Sequence, residues 1–224
     1  MPKREVRIRM YRQGLGDCFL LTFPRTPDPF HLLIDCGALN SRHYDTTLMK
    51  KVVRDIQATT GGRLDAVAGT HEHWDHISGF LQAQEIFDEM DITQVWVAWT
   101  EDPDDKAAQL MKETFKKRKM AVEMALKRIP EHEESRLRVY RQAITELFGF
   151  YGGLGANNGK GKTEEAWDYL LEKGRKIYCV PQKRPLELDG VGGVRIYVLG
   201  PPQDPEYIRK RLSTKETYAE SRRD

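Results

Sequence analysis

The chain has 224 residues, 39% of them apolar and 31% charged, with a formal net charge of +2 at pH 7. That length suits one sizeable domain or two small ones, and so small a charge does not by itself imply a polyanion partner. No apolar run approaches the ~18 residues of a membrane span, and the start, Met1-Pro2-Lys3-Arg4-Glu5, lacks a secretory leader's apolar stretch. Three widely separated cysteines, Cys18, Cys36 and Cys179, make no disulfide framework, so a cytoplasmic protein with no membrane partner is expected.

In chain order, Val6 to Met10 alternates apolar and basic residues, as a half-buried strand does. Gly14 and Gly16 break it, and Cys18 to Phe23 reads as a second strand. The segment from Pro24 to Pro29, with three prolines, is a turn, and His31 to Asp35 a third strand. Cys36 reads as a small buried strand residue. His43, alone in the following loop, is not counted as a ligand. From Asp45 to Thr59, Leu48, Val52 and Ile56 recur every four residues and predict a helix that Gly61-Gly62 ends. Leu64 to Gly69 then forms a short apolar strand.

That strand delivers the chain to Thr70-His71-Glu72-His73-Trp74-Asp75-His76, where three histidines and an aspartate fall within six residues. Imidazole nitrogen and carboxylate oxygen are ligands that a borderline cation such as Zn²⁺ prefers. In an extended segment His71 and His73 point to the same side, because side chains alternate with period two. Asp75 and His76 follow where the chain turns into a helix from about Ile77, so one turn can feed two adjacent metal positions. One or two zinc ions are expected, with manganese or iron as alternatives. Gln94 to Trp99 is the next strand, ending at the same rim. Trp74 and Trp99 are candidate walls for a substrate, with packing the expected role of Trp99.

From about 104 to 149 the apolar spacing predicts a helical hairpin, with Leu110, Met111, Phe115, Val122, Ala125 and Ile129 on the first helix. Leu137, Tyr140, Ile144, Leu147 and Phe148 mark the second, after Pro130. Lys112, Lys116, Lys117, Arg118 and Lys119 can contact phosphates, although Glu113, Glu123, Glu131, Glu133 and Glu134 dilute their field and a solvated face is the simpler reading. His132 is expected to face solvent. Ala156 to Thr163 fits a relaxed phosphate-loop pattern, but no buried strand precedes it, so a basic surface loop is expected, with Thr163 capping a helix to Leu171. Lys176 to Val180, Pro185 to Leu188 and Arg195 to Leu199 read as strands, and the end from Pro205 is polar.

The segment from His71 to His76 resembles the His-x-His-x-Asp-His signature of the metallo-β-lactamase superfamily of metallo-hydrolases. Gly14 to Leu21 and Leu32 to Gly37 look like that fold's opening strands. Val194 to Pro202 is similar to a mid-domain strand of the branch containing competence-type DNA-internalisation proteins, to which the Gly-x-Gly-Asp wording at 14–17 also points. The resemblance covers residues 5–100 and 176–202. It implies a layered α/β fold, an αββα sandwich, with residues 102–150 as a helical insertion. His71 and His73 would bind a first metal and Asp75 and His76 a second. Asp75 would also orient the nucleophilic water, and Asp35 would hold the loop from behind through hydrogen bonds. The implied function is hydrolysis by a zinc-activated water, with phosphodiesters, nucleic acid included, ahead of acyl substrates such as lactams or thioesters. A non-catalytic interaction module is the reading from another class.

The superfamily adds a later histidine, a bridging aspartate and a final histidine. After His76 the only histidine here is His132, and no strand ending in Gly-Asp follows Pro202. The chain is therefore expected to be one domain over 1–224, truncated at its C-terminus and holding mainly the first half of the sandwich. One sheet face would then be exposed, metal binding would be weak, and the partner would be the missing half or a second copy in a homodimer.

Overall fold

The computed structural model describes residues 5–39, 47–128, 139, 144, 161–181 and 184–208. Three antiparallel strands open it: β1 (Arg7–Met10), β2 (Phe19–Phe23) and β3 (Phe30–Ile34). Next come helix α1 (Thr47–Thr60), the short strands β4 (Arg63–Leu64) and β5 (Ala66–Ala68), and helices α2 (Trp74–Gln82) and α3 (Gln84–Phe87). Strands β6 (Asp91–Ile92) and β7 (Gln94–Ala98) lead through a 3₁₀ turn at Trp99–Glu101 to the long helix α4 (Lys106–Lys127). Helix α5 (Lys162–Glu172), strand β8 (Arg175–Cys179) and the short helix α6 (Pro205–Ile208) follow. No helix among the described residues is long and apolar enough to cross a membrane.

The fold is α/β, built on a six-stranded mixed sheet in the order β1-β2-β3-β5-β7-β8, with β3, β5, β7 and β8 parallel. Parallel neighbours need crossovers, which α1, α2 with α3, and the stretch ending in α5 supply. Alternation along each strand sends Leu20, Leu33, Val67, Val95 and Val97 to the face that packs on Val53, Ile56, Ile77, Phe80, Phe87, Trp167 and Leu170. Ile56 is fully buried there, so Ile56→Ala is expected to cost about 2–5 kcal/mol, read as a lower urea midpoint at unchanged slope.

The opposite face carries Phe23, Phe30, Leu32, Ala66 and Trp96, on which Leu188 and Val191 pack. The arm over residues 184–201 covers its middle. This corrects the strands expected at Pro185–Leu188 and Arg195–Leu199: only an isolated bridge joins Leu186 to Ile196. Among the described residues the face is bare toward β1, where Ile8 and Met10, paired with Leu21 and Phe19, are 67% and 70% exposed.

Three further expectations change. The apolar run from Leu64 splits at Asp65, whose carboxylate accepts the His31 amide at 2.9 Å and pairs with Arg25 and Arg63, so β4 joins β6 in a separate two-stranded sheet. Helix α5 starts one residue earlier than expected, capped by Gly161, with Thr163 buried in its first turn. In α4 only Ala108 and Leu126 are buried apolar residues, while Leu110, Phe115, Met120, Val122 and Met124 are exposed. Of the second helix of the insertion, Val139 and Ile144 are described, both helical. His43, His132 and the phosphate-loop-like stretch 156–160 lie outside the described residues.

Candidate metal centre

The parallel strands end together at Ile34, Ala68, Ala98 and Cys179, and the loops beyond β3 and β5 meet at that rim. Helix α2 begins at Trp74, three residues earlier than the sequence reading placed it, so Asp75 and His76 sit in its first turn. Asp75 there favours the positive end of the helix dipole.

This turn is stitched to the two upstream segments through backbone groups. The Cys36 amide donates to the His76 carbonyl at 2.7 Å, the Asp17 amide to the Asp75 carbonyl at 3.2 Å, and the Gly79 amide to the Cys36 carbonyl at 2.8 Å. Ser78 Oγ accepts from the Ala38 amide and donates to the Ala38 carbonyl. Gly16 and Gly37 permit the approach: a Cβ on either would lie 2.4 Å from the Asp75 carbonyl oxygen.

Asp35 organises the side chains. It sits just past β3 in the left-handed region, at φ 52°, and its side chain is 2% exposed. Its carboxylate accepts from the Thr70 amide at 2.8 Å, from Thr70 Oγ1 at 2.7 Å and from His76 Nδ1 at 2.8 Å. Thr70 has one hydroxyl proton and gives it to Asp35, so its 2.9 Å contact with His71 Nδ1 requires that His71 donate. His71 is thereby fixed with its lone pair on Nε2, which lies 3.1 Å from His73 Nδ1. Likewise His76 gives Nδ1–H to Asp35 and turns Nε2 toward Asp75 Oδ2, 3.5 Å away.

The three imidazoles gather closely, with the His71 ring 4.5 Å from that of His73 and 4.0 Å from that of His76, centre to centre. Ring contacts cross the two pairs expected from the sequence, His71 with His73 and Asp75 with His76, since His71 lies against both His73 and His76. Burial, reinforced by the neighbouring rings, holds His71 below the ordinary histidine range, and burial does the same for His73. The hydrogen bond that His76 gives to the Asp35 carboxylate raises His76 instead. One oxygen of Asp75, Oδ1, is buried and has no hydrogen-bond partner among the described residues, an acceptor that a cation or its water would satisfy.

Two participants were missed in the sequence. Asp17 Oδ2 lies 3.5 Å from His76 Nδ1, and Asp17, Asp35 and His76 form a group whose candidate ligand atoms all lie within 4.8 Å of one another. Because His76 Nδ1 already serves Asp35, this trio reads as a support for the histidine, whose Nε2 is the nitrogen that lies beside Asp75. Thr70, bridging Asp35 and His71, is the other. Its signal was its place just before the first histidine.

The aromatic candidates divide. Trp99 is 2% exposed and donates its Nε1–H to the Pro201 carbonyl at 2.8 Å, which makes it a packing residue. Trp74 is partly buried against the main core. Cys36, fully buried beside Cys18, has its thiol pushed well up by that neighbour and by burial, so it is chemically quiet. No family model matches this chain, and a comparison with curated proteins found no match.

Proposed function

We propose that the chain is a metal-dependent hydrolase of the metallo-β-lactamase type, its sheet and helices forming part of an αββα sandwich. The observation that carries this reading is the packing of the His71 ring against those of His73 and His76, with His76 Nε2 3.5 Å from Asp75 Oδ2. His71, His73, Asp75 and His76 would hold one or two zinc ions, with Asp35 and Asp17 behind them. A bound zinc ion would supply a Lewis acid that lowers the pKa of a water toward ~7. Asp75 would orient that water through Oδ1. Asp35 would keep Nδ1 of His76 protonated and Nε2 directed forward, and Thr70 would do the same for His71. Phosphodiesters are the proposed substrates.

A second reading, hydrolysis of acyl esters or thioesters, is favoured by an apolar groove of about 590 Å³ lined by Ile34, Ala68, Thr70, Cys179, Ile196 and Leu199, which reaches the metal loop at Thr70. One assay separates them. Bis(p-nitrophenyl) phosphate and an acyl thioester are offered with Zn²⁺ or Mn²⁺ to the wild type and to His71→Ala/His73→Ala. Metal-dependent turnover of the diester, lost at least 100-fold in the double variant, is expected. Turnover that the substitutions leave untouched would remove the enzyme reading, and turnover of the thioester alone would select the second.

A further inference from the structure

We infer that the N-terminus of α5 is an oxyanion site for a terminal phosphate group on the substrate, held by the Thr163 hydroxyl and the Thr163 and Glu164 amides. The inference rests on the phosphodiester reading for the parent molecule, but not for the binding of phosphate itself. The leading N–H groups of a helix have no partner inside it and stand at the positive end of its dipole. Helix α5 has 11 residues and is capped by Gly161, which has no side chain to accept from them. Its first bond runs from the Glu165 amide to the Gly161 carbonyl at 3.0 Å, so the Thr163 and Glu164 amides, which precede it, have no acceptor among the described residues.

The Thr163 side chain is the independent sign of a ligand. It is 4% exposed, and its Oγ1 has no hydrogen-bond partner among the described residues. A buried hydroxyl left so costs free energy that a ligand's acceptor oxygen would recover. Helical side chains lean toward the N-terminus, so this hydroxyl is aimed at the same end as the two amides. Lys162 and Glu164 on either side are exposed, which opens that end to solvent. Glu164 and Glu165 project about 100° and 200° around the helix from Thr163, and in the sequence Lys160 and Lys162 match them in number.

Topology sets this end beside the metal loop. Strands β5, β7 and β8 are parallel, so α2 and α5, which run back toward the starts of β7 and β8, both begin at the rim. Along α5 the contacts keep that order. Tyr169 donates its hydroxyl to the Gln84 carbonyl at 3.2 Å, beyond the far end of α2. Trp167, nearer the start, donates Nε1–H to Glu101 Oε2 at 3.1 Å, just past the end of β7, and lies against Gly69, the residue before Thr70. Thr163 is one turn, about 6 Å, further toward the rim. Two amides and a hydroxyl on one turn offer three protons to one anion. A terminal phosphate has three free oxygens to take them, against two in one plane for a carboxylate.

The test uses the full chain. In EDTA, which keeps the metal centre empty, ¹⁵N-labelled protein is titrated with inorganic phosphate. The Thr163 and Glu164 amides are expected to shift together, with one dissociation constant of about 10 mM or tighter. Thr163→Val keeps the branched shape without the hydroxyl. It is expected to weaken phosphate about tenfold with no fall in Tm, and Thr163→Ser to retain the affinity. With Mn²⁺ added, a thymidine dinucleotide carrying a 5′-phosphate is expected to show a KM about tenfold below that of the same dinucleotide without it. Thr163→Val should raise the lower value to the higher. Full phosphate affinity in Thr163→Val, shifts confined to His71–His76, or acetate bound as tightly as phosphate would overturn the site. Equal KM values for the two dinucleotides in the wild type would overturn its assignment to the substrate. Phosphate held at Thr163 with no turnover of either dinucleotide would remove the hydrolase reading and leave the oxyanion site standing.

Discussion

Asp35→Ala is expected to destabilise the protein by about 3–5 kcal/mol, a fall in Tm of about 10 °C at 2–4 °C per kcal/mol for a chain of this size. The carboxylate is buried and accepts three hydrogen bonds, from the Thr70 amide, the Thr70 hydroxyl and His76. Alanine leaves the amide buried without an acceptor and frees both side chains to rotate. It also places a residue with no local hydrogen bond at φ 52°, where aspartate and asparagine are tolerated better. Asp35→Asn keeps the shape and that tolerance but presents an NH₂ group where Thr70 or His76 must donate. It is expected to fold and to bind zinc 10- to 100-fold more weakly, read by competition with a chromophoric chelator. Zinc affinity equal to wild type in Asp35→Asn would show that this residue does not aim the histidines.

Gly37→Ala is expected to be comparably severe by a different mechanism. The new Cβ would sit 2.4 Å from the carbonyl carbon and oxygen of Asp75 and 2.6 Å from the carbonyl carbon of His76. These are backbone atoms in the first turn of α2, so nothing flexible can yield, and a loss of about 3 kcal/mol or more is expected. A variant that survives must displace α2 outward, carrying Asp75 and His76 with it, so metal affinity should fall together with stability. Gly192→Ala is the control. A Cβ there meets nothing within 4 Å, and a change within about 0.5 kcal/mol is expected. Urea denaturation of the two variants side by side checks both. A Gly37→Ala protein as stable as Gly192→Ala would mean that the close approach of the two loops is not maintained in solution.

Much of the framework was legible in local pattern. The antiparallel opening, α1, β7 and β8 fell within a residue or two of their expected places, because alternation and four-residue recurrence report which face of an element is buried. The pattern misled where burial did not follow it. Leu110, Phe115 and Val122 were expected on a packed helix face, yet they are exposed on α4 among the described residues. Leu64 to Ala68 looked like one strand, and the ion pairs of Asp65 with Arg25 and Arg63 broke it in two. Arg195 to Leu199 looked like a strand as well, but it found a partner only at Ile196.

By itself the sequence determined the α/β class and the density of imidazoles between His71 and His76, since both are properties of neighbouring residues. Only the tertiary structure decided which atoms those imidazoles present. Asp17, Asp35 and Thr70 lie as far as 59 positions from His76 along the chain, and no periodicity links them. They meet because the start of β2 and the ends of β3 and β5 lie side by side and because Gly16 and Gly37 let two backbones touch α2. A ring nitrogen's lone pair is set by what its other nitrogen donates to, and that partner comes from another strand.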